Sequence, residues 1–430
     1  MLRRPASGWR RGGAISLLSA VVALATIVTT ATASGGAKPG QKPFQLKIGN
    51  IMPLTGDLSA FGPSLDAAAR LGAQLVNQAL KGDHLNSKFS VQIVDTQDDQ
   101  SKIPPAVEAA QKLASENVNV IIGTLSSGST IAVAQSVAIP KNIVEITPTS
   151  SSPAITALKD NNLVFQMGPN DNFQARELAA TIAKQIGSHA LLNIGWRNDD
   201  YGNGAAALFK TLWKKQGGKI GVTESWDPNA PSFDSIAQKL VGGNPTAYMI
   251  FDFPQTFQKL GPALVRTGKW SPKKTFVSAE FRDANALAAI GAPATEGLRG
   301  VAASNGTTPL QNAFTAYFKR MEPGKPATGY ESFAFDSVIL ASLAALQADS
   351  PSGATFAKDI EAVSNGPGKT FTYQHIAAAI KAIEAGTKID FDGVSSPLDL
   401  SPQGAPNAER YDVWTYTGGQ IKVLSTQTIK

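Results

Sequence analysis

The chain has 430 residues, a formal net charge of +6 at neutral pH and no cysteine. Four arginines are the only charged residues in the first 33 positions, so the rest of the chain carries a net charge of only +2, six minus four. That charge is too small for a protein that grips nucleic-acid phosphates, and the lack of cysteine argues against disulfide bonds and a cysteine-linked lipid anchor. Roughly 395 residues beyond position 33 predict two domains rather than one hydrophobic core.

The first 33 residues have the pattern of an export signal peptide. Their arginine-rich head is followed by the apolar run Ala14–Val28 and by the small residues Ala31–Ala33, the order that export signals share. The apolar run has 15 residues, fewer than the ~20 that a membrane-spanning helix needs. An adjacent arginine pair leaves the general and the twin-arginine export routes both open. We therefore expect a soluble periplasmic protein, with residues 34–43 as a glycine-, lysine- and proline-rich linker.

Strand and helix patterns alternate through the first half of the remaining chain. The predicted strands are Phe44–Met52, Phe89–Asp95, Val118–Gly123 and Ile143–Thr147, and the predicted helices are Pro63–Leu80, Pro104–Glu116 and a helix from Ser129. This alternation indicates parallel strands with helices on both faces of the sheet.

The same alternation restarts further along the chain and then gives way to long helices and a hairpin. The predicted helices are Asn172–Ile186, Gly204–Gln216, helices from Ser232 and Gln255, Gln311–Met321 and Tyr330–Gln347; the predicted strands are His189–Gly195, Lys219–Glu224, Thr246–Phe251, Lys274–Ser278, Arg410–Tyr416 and Gln420–Val423. We expect the hairpin to turn at residues 417–419.

The fold class predicted from this order is α/β, with two doubly wound lobes and a ligand cleft between them. Residues 44–168 and 304–408 are assigned to lobe one, and residues 169–303 and 409–430 to lobe two. Ligands of such sheets bind at the carboxyl ends of the strands, so the loops that follow the strands are the places to look for a site.

Two hydroxyl-rich loops follow neighbouring strands of lobe one. The first covers Thr124–Thr130 and the second covers Thr149–Ser152. Hydroxyl groups and free backbone N–H groups at the start of a helix can hold a carboxylate without a cationic side chain. Serine and threonine also cap helices with no ligand involved, and the sequence leaves both interpretations open.

In lobe two, an acid and two aromatic residues follow predicted strands. Glu280 can pair with an ammonium group, and Tyr201 and Phe253 can wall a side-chain pocket. Each also has a structural interpretation: Glu280 as an ordinary acid in the first turn of a helix, and Tyr201 as a packed surface aromatic.

An ordered set of segments resembles the Leu/Ile/Val-binding protein family, the type I periplasmic solute-binding proteins of ABC importers. The segments are Ile48–Gly56 with Phe61 and Gly62, Asp95–Asp99, Gly123–Thr130, Ile146–Pro148, Asp200–Gly204, Glu296 with Gly297, Tyr330–Asp336 and Tyr411–Trp414. The resemblance covers nearly the whole chain beyond the linker. It implies the type I periplasmic binding protein fold.

The resemblance also implies a ligand site and its roles. The matching positions are Ser127, Thr149 and Ser151 for the ligand's α-carboxylate, Tyr201 and Phe253 for the walls of the site, and Glu280 for the α-ammonium. The register near Phe253 leaves Asp252 as an alternative. Asp98 and Ser126 stand where the type member of the family has its disulfide.

These observations predict an exported receptor that closes by hinge motion around a branched-chain or related amino acid. Its expected partner is an ABC permease in the membrane, and it is expected to act as a monomer, not as an enzyme, with no cofactor and no nucleic acid. The same fold binding an amide, a urea or an aromatic acid remains an alternative. A sensor ectodomain is less favoured because no spanning helix follows the predicted domains.

One further motif is typical of a different chemistry. Gly202, Asn203 and Gly204 with Ala207 form a loose dinucleotide-binding pattern, the remote alternative of an NAD-dependent enzyme. It is disfavoured because the first glycine should stand at the end of a strand, and the strand is predicted to end at Gly195. The three histidines are far apart in the sequence, so no metal site is predicted.

Overall fold

The computed structural model describes residues 43–85, 88–168, 170–304 and 308–429. The export signal predicted over residues 1–33, and all of the predicted linker except its last residue, lie outside the described residues.

The strands are β1 Phe44–Met52, β2 Phe89–Asp98, β3 Val120–Ile122, β4 Val144–Thr147, β5 Val164–Gln166, β6 Leu191–Arg197, β7 Lys219–Trp226, β8 Ala247–Phe251, β9 Thr275–Val277, β10 Arg299–Ala303, β11 Lys369–Phe371, β12 Ile389–Phe391, β13 Glu409–Thr417 and β14 Gln420–Ile429.

Helices separate most of these strands. They are α1 Gly62–Gly82, α2 Ile103–Ser115, α3 Ser127–Val133, α4 Ile139–Lys141, α5 Asp171–Ile186, α6 Asp200–Lys215, α7 Asp234–Leu240, α8 Pro254–Arg266, α9 Ala284–Ile290, α10 Ala292–Thr295, α11 Pro309–Met321, α12 Glu331–Ala348, α13 Gly353–Ser364 and α14 Ile376–Glu384. The α/β class predicted from the sequence is confirmed.

The first sheet has five parallel strands in the order β2-β1-β3-β4-β5. Strand β1 lies between β2 and β3, so the chain leaves β1 toward one edge and later returns on its other side. The loops after β1 and β3 therefore diverge and leave a crevice at the carboxyl ends of the strands. Leu58 and Phe61 lie in the first loop, and Ser126 lies in the second.

The second sheet has seven strands in the order β14-β13-β10-β9-β8-β6-β7. Strands β6 to β10 are parallel, whereas the late hairpin of β13 and β14 adds to the edge in the antiparallel sense. Gly418 and Gly419 form its two-residue turn with φ values of 59° and 79°, a conformation that favours glycine. The predicted hairpin is thus present, and β14 runs on to Ile429.

The largest hydrophobic cluster contains side chains from both sheets, so the assignment of residues to two lobes stays a prediction. Helix α12 lies at the centre of this core against α1. Its mean hydropathy of 1.2 and its 18 residues would suit a membrane span, but 83% of it is buried inside the protein. Gly72 permits the close packing of the two helices, because a Cβ there would lie 2.9 Å from the carbonyl oxygen of Phe335.

The start of α6 and the end of β6 differ from the prediction. Strand β6 continues to Arg197, two residues past the expected end at Gly195. Helix α6 begins at Asp200 instead of Gly204, because the Asp199 side chain accepts a hydrogen bond from the Gly202 N–H at 2.9 Å and caps the helix there. Tyr201 therefore lies in the first turn of a helix and not in a loop.

Candidate functional site

A narrow cavity of about 40 Å³ lies between the strand-end loops of the two sheets. All six residues predicted to bind ligand line it: Ser127, Thr149, Ser151, Tyr201, Phe253 and Glu280. The first three come from the first sheet and the other three from the second. A volume of this size is what a few water molecules require, so the two sides already stand close together.

The hydroxyl groups of the two serine- and threonine-rich loops divide into two sets. The inner set forms a buried network that ties the loops together. Thr130 Oγ1 lies 2.9 Å from Thr124 Oγ1 and 2.7 Å from Ser150 Oγ, and Thr147 Oγ1 donates to the Thr124 carbonyl at 2.6 Å. These residues have a structural role, one of the two interpretations that the sequence left open. By joining the two loops they hold the side chains of the outer set in place.

The outer set is formed by Ser127, Thr149 and Ser151, whose side chains line the cavity. Ser127 Oγ accepts a long hydrogen bond of 3.3 Å from the Ser152 N–H, and Thr149 Oγ1 donates one of 3.3 Å to the Leu125 carbonyl. Bonds of this length are weak, so both hydroxyls can turn toward a bound carboxylate at little cost.

Glu280 lies at the opposite side of the cavity, in the single turn that follows β9. The Tyr201 hydroxyl donates a 2.6 Å hydrogen bond to Glu280 Oε2. Burial raises the pKa of Glu280 above its ordinary value, and the hydrogen bond from Tyr201 acts in the opposite direction. Among the ion pairs of the described residues, none includes Glu280.

A second acid, Asp171, lies beside Glu280 and was not predicted. It is the first residue of α5 and is only 1% exposed. Burial, and then the charge of Glu280, raise the pKa of Asp171 to about 8, while the nearby Ser151 hydroxyl acts in the opposite direction. From sequence alone Asp171 is an ordinary first-turn helix acid, so no local signal identified it.

Gln174, one turn further along α5, also lines the cavity. Its side-chain oxygen accepts a hydrogen bond from the Ala279 N–H at 3.3 Å, and its buried amide nitrogen has no partner. That unpaired donor is available to a ligand in the cavity.

Aromatic rings form the remaining walls. Tyr201 is stacked on Phe253, with the ring centroids 5.2 Å apart and an interplanar angle of 19°. Phe61 and Tyr330 meet edge to face with centroids 5.6 Å apart, and both line the cavity without having been predicted. Phe253 lines the cavity, whereas the alternative Asp252 is fully buried behind it.

Arg197 lies on the far side of the Phe253 ring, with Cζ 3.8 Å from the ring centroid. Its guanidinium group faces three carboxylates: Asp199, Asp252 with 3.8 Å from Nη1 to Oδ1, and Asp57 with 3.2 Å from Nη2 to Oδ2. Sequence reasoning missed Arg197 because the strand was expected to end before it.

Asp98, which stands at one of the positions of the family disulfide, fixes the loop after β1 by hydrogen bonds. Its Oδ1 accepts from the N–H groups of Leu54, Thr55 and Gln100 at 2.9, 3.1 and 2.8 Å, and its Oδ2 accepts from Thr55 Oγ1 at 2.7 Å. Burial opposes the charged form, but these bonds together hold the pKa of Asp98 below its ordinary value. The loop is therefore held in place without a covalent bond.

The arrangement offers a small ligand polar groups on both sides of the cavity and apolar walls. It sets hydroxyl groups from the loops of the first sheet against Glu280 of the second, with aromatic rings between them. In the part of the chain that the structure describes, no group of three histidine or acidic residues is placed to hold a metal ion. Gly202, the first glycine of the loose dinucleotide pattern, lies inside α6 with its N–H bonded to Asp199, so that N–H is not free for a phosphate.

Comparisons with a family model and with individual proteins point to the same family. A family model described as periplasmic binding protein matches residues 45–393. The Leu/Ile/Val-binding protein homolog 3 of Brucella melitensis is 27% identical over 228 residues, which are 53% of this chain and 57% of that protein. The substrate-binding protein BasB of the chemotactic signal transduction system of Halobacterium salinarum is 25% identical over 372 residues, 82% of this chain and 83% of that protein. The chain thus spans little more than half the length of the first of these relatives.

Solved structures show the same fold. The leucine-binding protein LivK of Thermotoga maritima superposes with a TM-score of 0.71 at 18% identity, covering 89% of this chain and 98% of that one. LivJ of Streptococcus pneumoniae in complex with isoleucine gives 0.70 at 17% identity, covering 90% and 100%. A solute-binding protein of R. palustris in complex with benzoate gives 0.67 at 21% identity, covering 89% and 96%.

At these identities the structural neighbours establish the fold alone, whereas the family match extends over most of the chain. Both agree with the resemblance seen in the ordered sequence segments. The chain belongs to the periplasmic binding protein family, with the Leu/Ile/Val-binding proteins among its relatives.

Proposed function

We propose that this protein is the exported solute-binding receptor of an ABC importer and that it carries a small amino acid in the cavity. The ligand's α-carboxylate lies against the hydroxyl groups of Ser127, Thr149 and Ser151. Its α-ammonium lies between Glu280 and Asp171. The observation that carries the proposal is Glu280, which lines the cavity opposite the hydroxyl groups and lies close enough to the buried Asp171 for its charge to raise the pKa of that acid.

The two acids select the charge of the ligand. A buried carboxylate is costly unless a cation or hydrogen bonds compensate it. Neither acid belongs to an ion pair within the described residues. An ammonium group beside Glu280 supplies the missing positive charge.

The apolar walls select the ligand side chain. Leu58, Phe61, Leu125 and Tyr330 line the cavity beside the stacked pair of Tyr201 and Phe253. Such walls favour an apolar side chain because each buried CH₂ contributes about 0.8 kcal/mol. Among apolar side chains we propose the aliphatic ones of valine, leucine or isoleucine.

Entry of the ligand requires the two sheets to move apart, because the loops of both sheets enclose the cavity. We therefore include hinge closure in the proposal. A ligand that contacts both sides stabilises the closed form, so affinity and closure are linked. The closed form is the one presented to the membrane permease, and the protein acts by binding without chemistry of its own.

An aromatic acid is the alternative ligand, since the R. palustris neighbour was solved with benzoate and the walls are rich in aromatic rings. Benzoate has no ammonium group, so it would bring a negative charge close to Glu280 and leave Asp171 without a cation to favour its charged form. The acids therefore favour an amino acid. A neutral amide would avoid this repulsion but would leave the acids uncompensated.

Isothermal titration calorimetry of the protein without its signal tests the proposal, against a panel of amino acids, amides and aromatic acids. We expect valine, leucine or isoleucine to bind, and we expect Glu280→Gln and Asp171→Asn each to weaken binding at least tenfold. Glu145→Gln is the matched control, because Glu145 is also a fully buried acid but does not line the cavity. Tight binding of benzoate with no amino acid bound would contradict the proposed ligand class.

A further inference from the structure

Arg197 connects the wall of the cavity to the opposite sheet. It ends β6 of the second sheet, and its side chain is only 6% exposed. Two of its three carboxylate partners, Asp199 and Asp252, belong to the same sheet and its loops. The third, Asp57, lies in the loop after β1 of the first sheet, with a side chain that is 37% exposed.

A continuous series of contacts runs from this ion pair to the acid at the cavity. The Arg197 guanidinium lies over the Phe253 ring at 3.8 Å, and Phe253 is stacked on Tyr201. The Tyr201 hydroxyl in turn holds Glu280. Asp57 therefore contacts the Arg197 guanidinium across the cleft, and that guanidinium lies against the Phe253 ring of the cavity wall.

The loop that carries Asp57 is well fixed on its own side. Asp98 holds the N–H groups of Leu54 and Thr55, and Ser101 Oγ accepts from the Leu58 N–H at 3.0 Å. Leu58 follows Asp57 directly and lines the cavity. A fixed loop loses little conformational entropy when Asp57 pairs with Arg197, so more of the attraction is retained.

We propose that Arg197 is a positioning residue whose ion pair with Asp57 acts as a latch between the two sheets, so that closing the cleft also presses Phe253 and Tyr201 into place around the ligand. This inference rests on the proposed function for its ligand and on the described geometry for the latch.

The latch can open without leaving a buried charge alone. When the sheets separate, Arg197 loses Asp57 but keeps Asp199 and Asp252. Asp57, already more than a third exposed, returns to water. Breaking a buried ion pair is usually expensive because one charge stays unpaired, and this arrangement avoids that cost. The pair can therefore form and break with each cycle of binding.

The first test measures closure without ligand. The chain has no cysteine, so single cysteines at the exposed positions Glu108 in α2 and Gln238 in α7 accept a pair of dyes. Single-molecule energy transfer then gives the closed fraction of the ligand-free protein. We expect Asp57→Asn to lower that fraction at least twofold. Asp234→Asn is the matched control, because Asp234 pairs with Arg266 within the second sheet region.

The second test uses the amino acid identified by calorimetry. Asp57→Asn should raise the dissociation rate constant about three- to tenfold with little change in the association rate constant, and Asp57→Glu should restore part of the loss. Raising the salt concentration should speed dissociation of the unaltered protein more than that of Asp57→Asn.

Equal closed fractions in the unaltered protein and Asp57→Asn, including none in either, would overturn the latch. An equal effect of Asp57→Asn and Asp234→Asn on closure or dissociation would overturn it too. If no amino acid binds, the proposed function fails, while the ligand-free measurement still decides whether the latch exists.

Discussion

The Tyr201 hydroxyl donates a 2.6 Å hydrogen bond to Glu280 Oε2, and this contact joins the first turn of α6 to the turn after β9. It favours the charged form of an acid whose pKa is raised by burial. Tyr201 thus both walls the cavity and keeps Glu280 ready for a cation.

Tyr201→Phe should weaken amino-acid binding by about tenfold, since a hydrogen bond to a charged group contributes roughly 1.5–3 kcal/mol. The pKa of Glu280 should rise further, because the bond that opposes burial is gone. Calorimetry gives the affinity. Tyr373→Phe, a buried tyrosine that does not line the cavity, should leave the affinity unchanged; equal losses in both variants would contradict the role of Tyr201.

Ligand binding should release a proton near neutral pH. The pKa of Asp171 is raised to about 8, so the carboxyl is mostly protonated at neutral pH. A bound ammonium favours the charged form and lowers that pKa, so affinity should rise as the pH rises toward about 8. Calorimetry in buffers of different ionisation enthalpy measures the proton release. Asp171→Asn should abolish it; an unchanged release in that variant would show that another group titrates.

Glu145 should make the protein less stable as the pH rises. It is fully buried in β4, neither oxygen has a hydrogen bond, and burial raises its pKa well above the ordinary value. A raised folded-state pKa gives stability that is complete below the unfolded value and is lost as the pH rises through the folded value. Glu145→Met should therefore raise the free energy of unfolding by about 1–3 kcal/mol at pH about 8 and by less at pH about 5. Urea unfolding at both pH values measures this, and a gain independent of pH would contradict it.

Gly128 should be needed for closure. A Cβ atom there would lie 2.6 Å from Asp200 Oδ2, which belongs to the start of α6 on the opposite side of the cleft. A small side chain could displace Asp200, but Gly128→Phe should hold the cleft open. Small-angle scattering with saturating ligand should show a larger radius of gyration than for the unaltered protein. Gly82→Phe, where an added Cβ meets no atom within 4 Å, is the control; equally compact complexes would contradict the prediction.

The sequence predicted those parts of the fold and site that follow from local patterns. Alternating strands and helices indicated the α/β class, and β1 has the predicted bounds of Phe44–Met52. The rule that ligands bind at strand ends led to Glu280 and the two hydroxyl loops. All of these lie at the same cavity, because parallel strands bring their carboxyl ends to one edge.

What the sequence did not predict depends on contacts between distant parts of the chain. The three-residue strand β5 has too few residues for a periodic pattern. Asp171 differs from an ordinary helix acid only because folding buries it close to Glu280. Arg197 acquires its role from Asp57, 140 positions away. Its position was also hidden by the early predicted end of β6.

The most direct test of the central claim is the calorimetric comparison of the unaltered protein with Glu280→Gln, titrated with valine, leucine and isoleucine. The account predicts that at least one of them binds the unaltered protein and that the substitution weakens binding at least tenfold, while Glu145→Gln has no effect. Undiminished amino-acid binding by Glu280→Gln, or no amino-acid binding by the unaltered protein, would contradict the account.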